Sequence, residues 1–166
     1  MPVILLQTKI QAQRERVFDL SRSLAIHIAS TSKTNEKVIS AKKTGLLELD
    51  EEVTWRAKHL GIYQNLTSKI TSLNYPNAFV DEMQKGIFKS FTHKHIFKKI
   101  SARETLMIDE FNYESPLGFL GKLADLLFLK KYMERFLKER NQVIKEVAES
   151  GEWENYINDS KGLTGF

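Results

Sequence analysis

Hydrophobic and polar residues alternate in twos along most of the first two thirds of the chain, then change to a three-and-four spacing. Val3–Ile10 is rich in β-branched residues with partial alternation, which predicts a first strand. Gln13–Leu20 changes to helical spacing, with Val17, Leu20 and Leu24 on one side, and the segment to Ala29 continues as a second short helix. Ser30–Asn35 is a polar loop. Short alternating segments follow, at Glu36–Ala41 and, after a connection through Gly45, at Glu52–Leu60. There Val53, Trp55, Ala57 and His59 form one face against Thr54, Arg56 and Lys58. Gly61 turns the chain into Ile62–Leu73, where Leu66, Ser68 and Ile70 share a face. Asn74–Asn77 is a turn, Phe79–Met83 a strand and Lys85-Gly86 a second turn; Gly86–Phe97 and Arg103–Tyr113 complete the set. Strands that return at hairpin spacing predict an antiparallel, strongly curved sheet rather than βαβ units.

The last third is read as one long helix, Ser115–Glu149, with Ser115 as N-cap and Pro116 at the first helical position. Leu126, Leu129, Met133, Phe136, Arg140, Val143 and Val147 repeat at steps of three and four, a stripe predicted to face the sheet. The first turns, with Leu117, Phe119, Leu120, Leu123, Leu127 and Phe128, are apolar nearly all round and are punctuated by Gly118 and Gly121. That end is expected to form a cavity wall or a partner surface. Ser150–Phe166 is polar and Gly-containing, a tail in which Trp153 and Tyr156 are candidates to pack back on the domain of residues 1–149.

At 166 residues, 42% hydrophobic and 28% charged, the chain has a globular composition and enough length for a sizeable core. It has no cysteine, which excludes disulfides, thiolate metal sites and a Cys nucleophile. The apolar run near the N-terminus, Val3–Leu6, is strand-sized and lacks a basic flank, so neither a signal peptide nor a membrane span is expected. A cytoplasmic location fits. The net charge of +4 is spread among interleaved Lys, Arg, Glu and Asp, so nucleic acid is not an expected partner.

Three stretches carry a family resemblance: VTWRAKH (Val53–His59), FVDEMQKGIFKSFTHKH (Phe79–His95), and Asp109 followed by the SerProLeuGly turn into the last helix. Over roughly residues 2–149 the chain resembles a bacterial branch of the SRPBCC superfamily, the START-like and birch-pollen-allergen-like proteins. The resemblance implies an α+β helix-grip fold: a curved antiparallel sheet of about seven strands wrapped around a long C-terminal helix, with two short helices after the first strand. It also implies a deep, mostly apolar cavity, with roles ranging from lipid or polyketide binding to cyclisation, so that the fold does not choose the function.

Candidate chemistry centres on His93 and His95, which share a strand face with Phe91 and Phe97, and on Asp109, which shares one with Thr105, Met107, Phe111 and Tyr113. Consecutive strands pair, so the histidines can lie across from Asp109 as an acid/base pair. His-x-His with His59, or with His27, evokes a three-imidazole metal site, but nothing in the spacing brings these side chains together, and neither a metal nor a cofactor is expected. No phosphate loop, nucleophile elbow or zinc-protease motif is present. The leading expectation is a protein that binds a small hydrophobic molecule, with Trp55, His59, Leu66, Phe79, Met83, Phe91, His93, Met107, Asp109, Phe111, Leu120 and Leu127 as binding residues. The alternatives are a cyclase, dehydratase or isomerase using His93 or His95 with Asp109, and a protein-interaction module using the apolar start of the helix.

Overall fold

A computed structural model describes residues 2–40, 42–59, 61–116, 118, 123 and 128–158. Strand β1 (Val3–Ile10) pairs antiparallel with the last strand, β7 (Glu104–Glu114). Between them β2 (Lys37–Val38), β3 (Glu52–His59), β4 (Ile62–Asn74), β5 (Ala78–Lys85) and β6 (Ser90–Ser101) pair in succession. The sheet order is β1-β7-β6-β5-β4-β3-β2, antiparallel throughout. Register shifts between β4 and β5, at Thr67/Ser68 and Ile70/Ser72, bend the longest strand, as bulges do. The expected strand at Glu36–Ala41 shrinks to two residues plus one bond from the Ile39 N–H to the Thr54 carbonyl; Ile39 itself is exposed, with no face to bury it.

Helices α1 (Arg14–Ser21) and α2 (Leu24–Ser30) follow β1, the second capped by the Ser23 hydroxyl accepting from the Ile26 N–H. The long helix α3 (Lys130–Glu149) lies against α1, α2 and β1. This is the helix-grip α+β architecture. A four-residue helix α4 (Glu154–Ile157) follows, where Trp153, Tyr156 and Ile157 pack on the core and the Arg16 guanidinium covers the Trp153 ring at 4.3 Å.

In the last third the expected buried stripe changes, and part of the expected long helix lies outside the described residues. The stretch of helix with described bounds begins at Lys130, after a wider, π-type turn at Phe128–Leu129; upstream, Gly118, with φ +53°, and Leu123 are also helical. Leu117, Phe119, Leu120, Gly121, Leu126 and Leu127 lie outside the described residues. The sheet-facing line of α3 is Leu137, Arg140, Asn141, Ile144 and Ala148, whereas Met133, Phe136, Val143 and Val147 flank it half-buried. Among the described residues of the expected stripe only Arg140 is buried, because the helix turns two adjacent polar residues, Arg140 and Asn141, toward the sheet.

The interior has two apolar cores. One joins α1, α2 and the C-terminal half of α3 to the sheet through residues such as Phe18, Phe97, Met107 and Ile144. The other gathers Phe91, Phe111, Tyr113 and Leu137, with Leu66, Met83 and Phe136 packed on it. Each element that crosses from one core to the other places a polar residue at the crossing: Thr8 between Leu6 and Ile10, Ser68 between Leu66 and Ile70, Asp81 between Phe79 and Met83. Asp109 lies between Met107 and Phe111, His93 and His95 between Phe91 and Phe97, and Arg140 and Asn141 between Leu137 and Ile144. The strand period of two makes these positions share one face, so a polar layer runs across the strands between the cores.

Candidate functional site

Pairing register assembles the centre of that layer. His95 stands opposite Asp109 on β7, and His93 stands opposite Asp81 on β5. All are buried except Asp81, which is partly open. One carboxylate oxygen of Asp109 takes a nitrogen from each ring: His93 Nε2 at 3.0 Å in a hydrogen bond, and His95 Nδ1 at 2.8 Å, bent off the hydrogen-bond line. The other oxygen accepts from Asn141 Nδ2 at 2.6 Å, and Asn141 also reaches Thr8 Oγ1 at 3.4 Å. On the opposite side of the rings, Asp81 Oδ1 lies 3.3 Å from His95 Nε2 and 3.8 Å from His93 Nδ1. The two imidazoles sit 3.8 Å apart, and Phe79 stacks on His95 at 4.2 Å. Arg140 donates to the Ser21 carbonyl at 3.0 Å and stands 4.0 Å from Asp109.

Such a cluster survives burial only if its charges cancel. Burial, reinforced by His95, pushes His93 down to about 4. Burial also opposes the charged form of His95, but Asp109 and then Asp81 outweigh it, and His95 is raised above 6.5. Burial disfavours both carboxylates too, yet His93 and His95 hold Asp109 well below its ordinary range, and His95 then His93 hold Asp81 down. The shifts thus drive the two rings apart: His93 is held toward its neutral form, while His95 and both carboxylates are held toward their charged forms and face one another with opposite sign.

A cavity of about 320 Å³ lies between the sheet and α3, with Asp81, His93, His95 and Arg140 of the layer on its wall. The rest of its lining is largely apolar, from Leu66, Phe88 and Phe91 on the sheet side to Met133, Phe136 and Leu137 on the helix. Ile87 and Phe128 line it and are 46% exposed each, which marks where it reaches the surface. A second polar group stands three strands away. His27 stacks on Trp55 at 3.8 Å and has Nε2 3.2 Å from Glu36 Oε2, although neither atom makes a well-aligned hydrogen bond. His59 Nδ1 is 2.8 Å from the Tyr132 hydroxyl. Burial works against the Glu36 carboxylate and His27 more than offsets it, lowering its pKa, while burial lowers His59.

Solved structures share this fold. A Thermus thermophilus protein matches with a TM-score of 0.71 at 17% identity, over 87% of this chain and 95% of that one. A START superfamily protein from Mycobacterium smegmatis matches at TM-score 0.67 and 10% identity, over 89% and 97%. The major latex-like protein of Panax ginseng gives 0.64 and 14%, also over 89% and 97%. The chain has the START-like, SRPBCC-type fold. At these identities the likeness shows the fold and no more. No protein-family model matches the sequence, and no curated protein matches it either.

Within this START-like frame, Trp55, His59, Leu66, Phe79, Phe91, His93 and Phe111 are on the cavity wall. Met83, Met107 and Asp109 are not in that lining. Met83 packs into the second core, Met107 lies under α1 with its sulfur 3.5 Å from Ser21 Oγ, and Asp109 is covered by the two histidines and Asn141. Leu120 and Leu127 lie outside the described residues. Among the described residues His59 does not join His93 and His95; Asp81 does. Sequence reading passed over Asp81, Asn141 and Glu36. For Asp81 the signal was present, since the period of two places it on one face with Phe79 and Met83.

Proposed function

We propose that this protein binds a small, mostly apolar molecule carrying one polar group, with its apolar body between sheet and α3 and its polar end against the layer at Asp81, His93 and Arg140. The observation that supports this reading most is the join of a roughly 320 Å³ apolar cavity to a polar wall of paired imidazoles and carboxylate, the usual composition of a small-molecule site. The ligand enters from the surface near Ile87 and Phe128, the lining residues that are exposed. A fluorescent fatty-acid probe is expected to bind and to be displaced by non-fluorescent apolar carboxylates. Ser68→Leu, which extends a larger side chain into the cavity wall, is expected to weaken the probe by about tenfold or more, roughly 1.4 kcal/mol. An undiminished affinity in that variant, or no probe binding by the parent chain, would overturn the reading.

A second reading, proton-transfer catalysis of the cyclase, dehydratase or isomerase kind, draws on the opposite shifts of His93 and His95. Neighbouring groups driven apart in pKa are the arrangement that supplies a base and an acid together. Ring-nitrogen NMR across pH is expected to show His93 losing its proton at clearly lower pH than His95; two rings that titrate together would end this reading. A protein-interaction surface at the start of the last helix draws only on the exposed Leu123 and Phe128.

A further inference from the structure

We propose that His93 Nδ1, His95 Nε2 and Asp81 Oδ1 form a binding site for a divalent first-row transition cation of the Zn²⁺ or Fe²⁺ class, open to the cavity. The three side chains come from adjacent strands, and their donor atoms lie within 4.8 Å of one another. The two separations to Asp81, 3.3 Å from His95 Nε2 and 3.8 Å from His93 Nδ1, bracket what such an ion needs. Ligands at about 2.0–2.1 Å in a tetrahedral shell stand roughly 3.3–3.4 Å apart.

The deeper half of the cluster argues the same way. Asp109 meets one nitrogen of each ring, hydrogen-bonding His93 Nε2 and standing 2.8 Å from His95 Nδ1, so that both rings turn their other nitrogen away from it. Asn141 fixes Asp109 in turn. The remaining nitrogens are left converging on Asp81. A carboxylate behind each ligating histidine is the arrangement that orients imidazoles and raises their basicity toward a metal. The site is closed at present by the contact between His95 Nε2 and Asp81; a cation takes that proton's place with no movement of the strands. Two imidazoles and one carboxylate suit first-row ions, whereas a set of oxygens alone would suit Mg²⁺ or Ca²⁺. Three protein ligands leave at least one coordination position facing the cavity, and with Asp81, Asp109 and Arg140 counted, a dication leaves the cluster one positive charge. The open position therefore favours an anionic oxygen ligand such as a carboxylate. The ion site stands whether or not an apolar molecule occupies the rest of the cavity.

Titration of the full chain with Co²⁺ tests this. One ion per chain is expected, with visible absorption distinct from the aqueous ion and with selective paramagnetic broadening of the His93 and His95 ring signals. Zn²⁺ is expected to displace it. Asp81→Ala, at the most open of the three ligands, is expected to weaken Co²⁺ by at least about 100-fold, and Asp109→Asn by about 10–100-fold as an orienting group. Absorption identical to the aqueous ion, or broadening that spares His93 and His95, overturns the site even if neither variant folds. Unchanged affinity in a folded Asp81→Ala chain overturns it as well.

Discussion

The cavity wall carries two polar groups built in different ways. The layer around Asp109 is positioned by backbone register: three consecutive strands and one helix each deliver a side chain to one level, and Asp109 alone meets His93, His95 and Asn141. The group around Glu36 is assembled from α2, the residue before β2, the end of β3 and the start of α3, and no one residue holds it together as Asp109 holds the layer: Glu36 meets His27, and His59 meets Tyr132. Register cannot slip by one residue without moving every side chain of a strand to the opposite face. The first group is thus tied to the fold itself, and the second to the reach of individual side chains. Loss of one member should then cost far more in the layer than in the peripheral group.

The sharpest way to break this comparison is Asp109→Ala, which leaves two imidazoles and an amide buried without their acceptor. Stability to denaturant is expected to fall by about 3–5 kcal/mol, the range for stripping one partner from a buried charge cluster. A loss near that of an ordinary surface substitution would mean that the layer is not a linked unit.

Next in size is the pH dependence of the metal-free chain. Native His93, lowered from 6.5 to about 4, refuses a proton that the unfolded chain accepts, so stability should fall as pH drops from about 6.5 toward 4, by about 3 kcal/mol in all. The lowered pKa values of Asp109 and Asp81 extend the loss to still lower pH, as those carboxylates are forced to protonate. His95 acts in the opposite sense: its raised pKa stabilises the fold below 6.5, and that contribution is lost as pH rises through the folded value. A stability maximum near pH 6.5, flanked by losses on both sides, is expected from denaturation midpoints across pH. A flat profile between pH 4 and 8 would contradict the opposed titrations.

Much of the frame was legible in the residue pattern, because period-two alternation and turn residues act locally. Seven strands, the two short helices and the facing of His95 toward Asp109 all follow from spacing and hairpin pairing. The polar layer was legible only in part, for a physical reason. A hydropathy stripe counts polar residues as outward-facing, so Asp81 between Phe79 and Met83 reads as an interruption, and burial of Asn141 beside Arg140 turns α3 away from the rest of the stripe at Met133, Phe136, Val143 and Val147. Burial of those residues depends on partners that are distant in sequence: Asn141 lies 32 residues from Asp109. Cavity lining has the same long-range origin. Met107 faces inward as alternation predicts, but α1 lands on it and seals it from the cavity.

In the peripheral group Glu36→Gln is expected to cost about 1–3 kcal/mol, since His27 loses its charged neighbour in a buried setting. The effect should remain well below that of Asp109→Ala, and a loss equal to it would erase the distinction between register-built and side-chain-built groups.

Tyr132→Phe is expected to give the smallest change. It removes a single hydrogen bond, between the Tyr132 hydroxyl and His59 Nδ1 at 2.8 Å, and leaves the ring in place against the imidazole. A neutral hydrogen bond of this kind contributes about 0.5–1.5 kcal/mol. Both residues line the cavity, so the same substitution also makes its wall less polar at this end. If the ligand's polar end rests on the layer, the apolar probe should bind the variant as well as it binds the parent, or slightly better. A marked loss of probe affinity, with stability nearly unchanged, would move the polar end of the ligand to His59 and Tyr132 and make the peripheral group the recognition site.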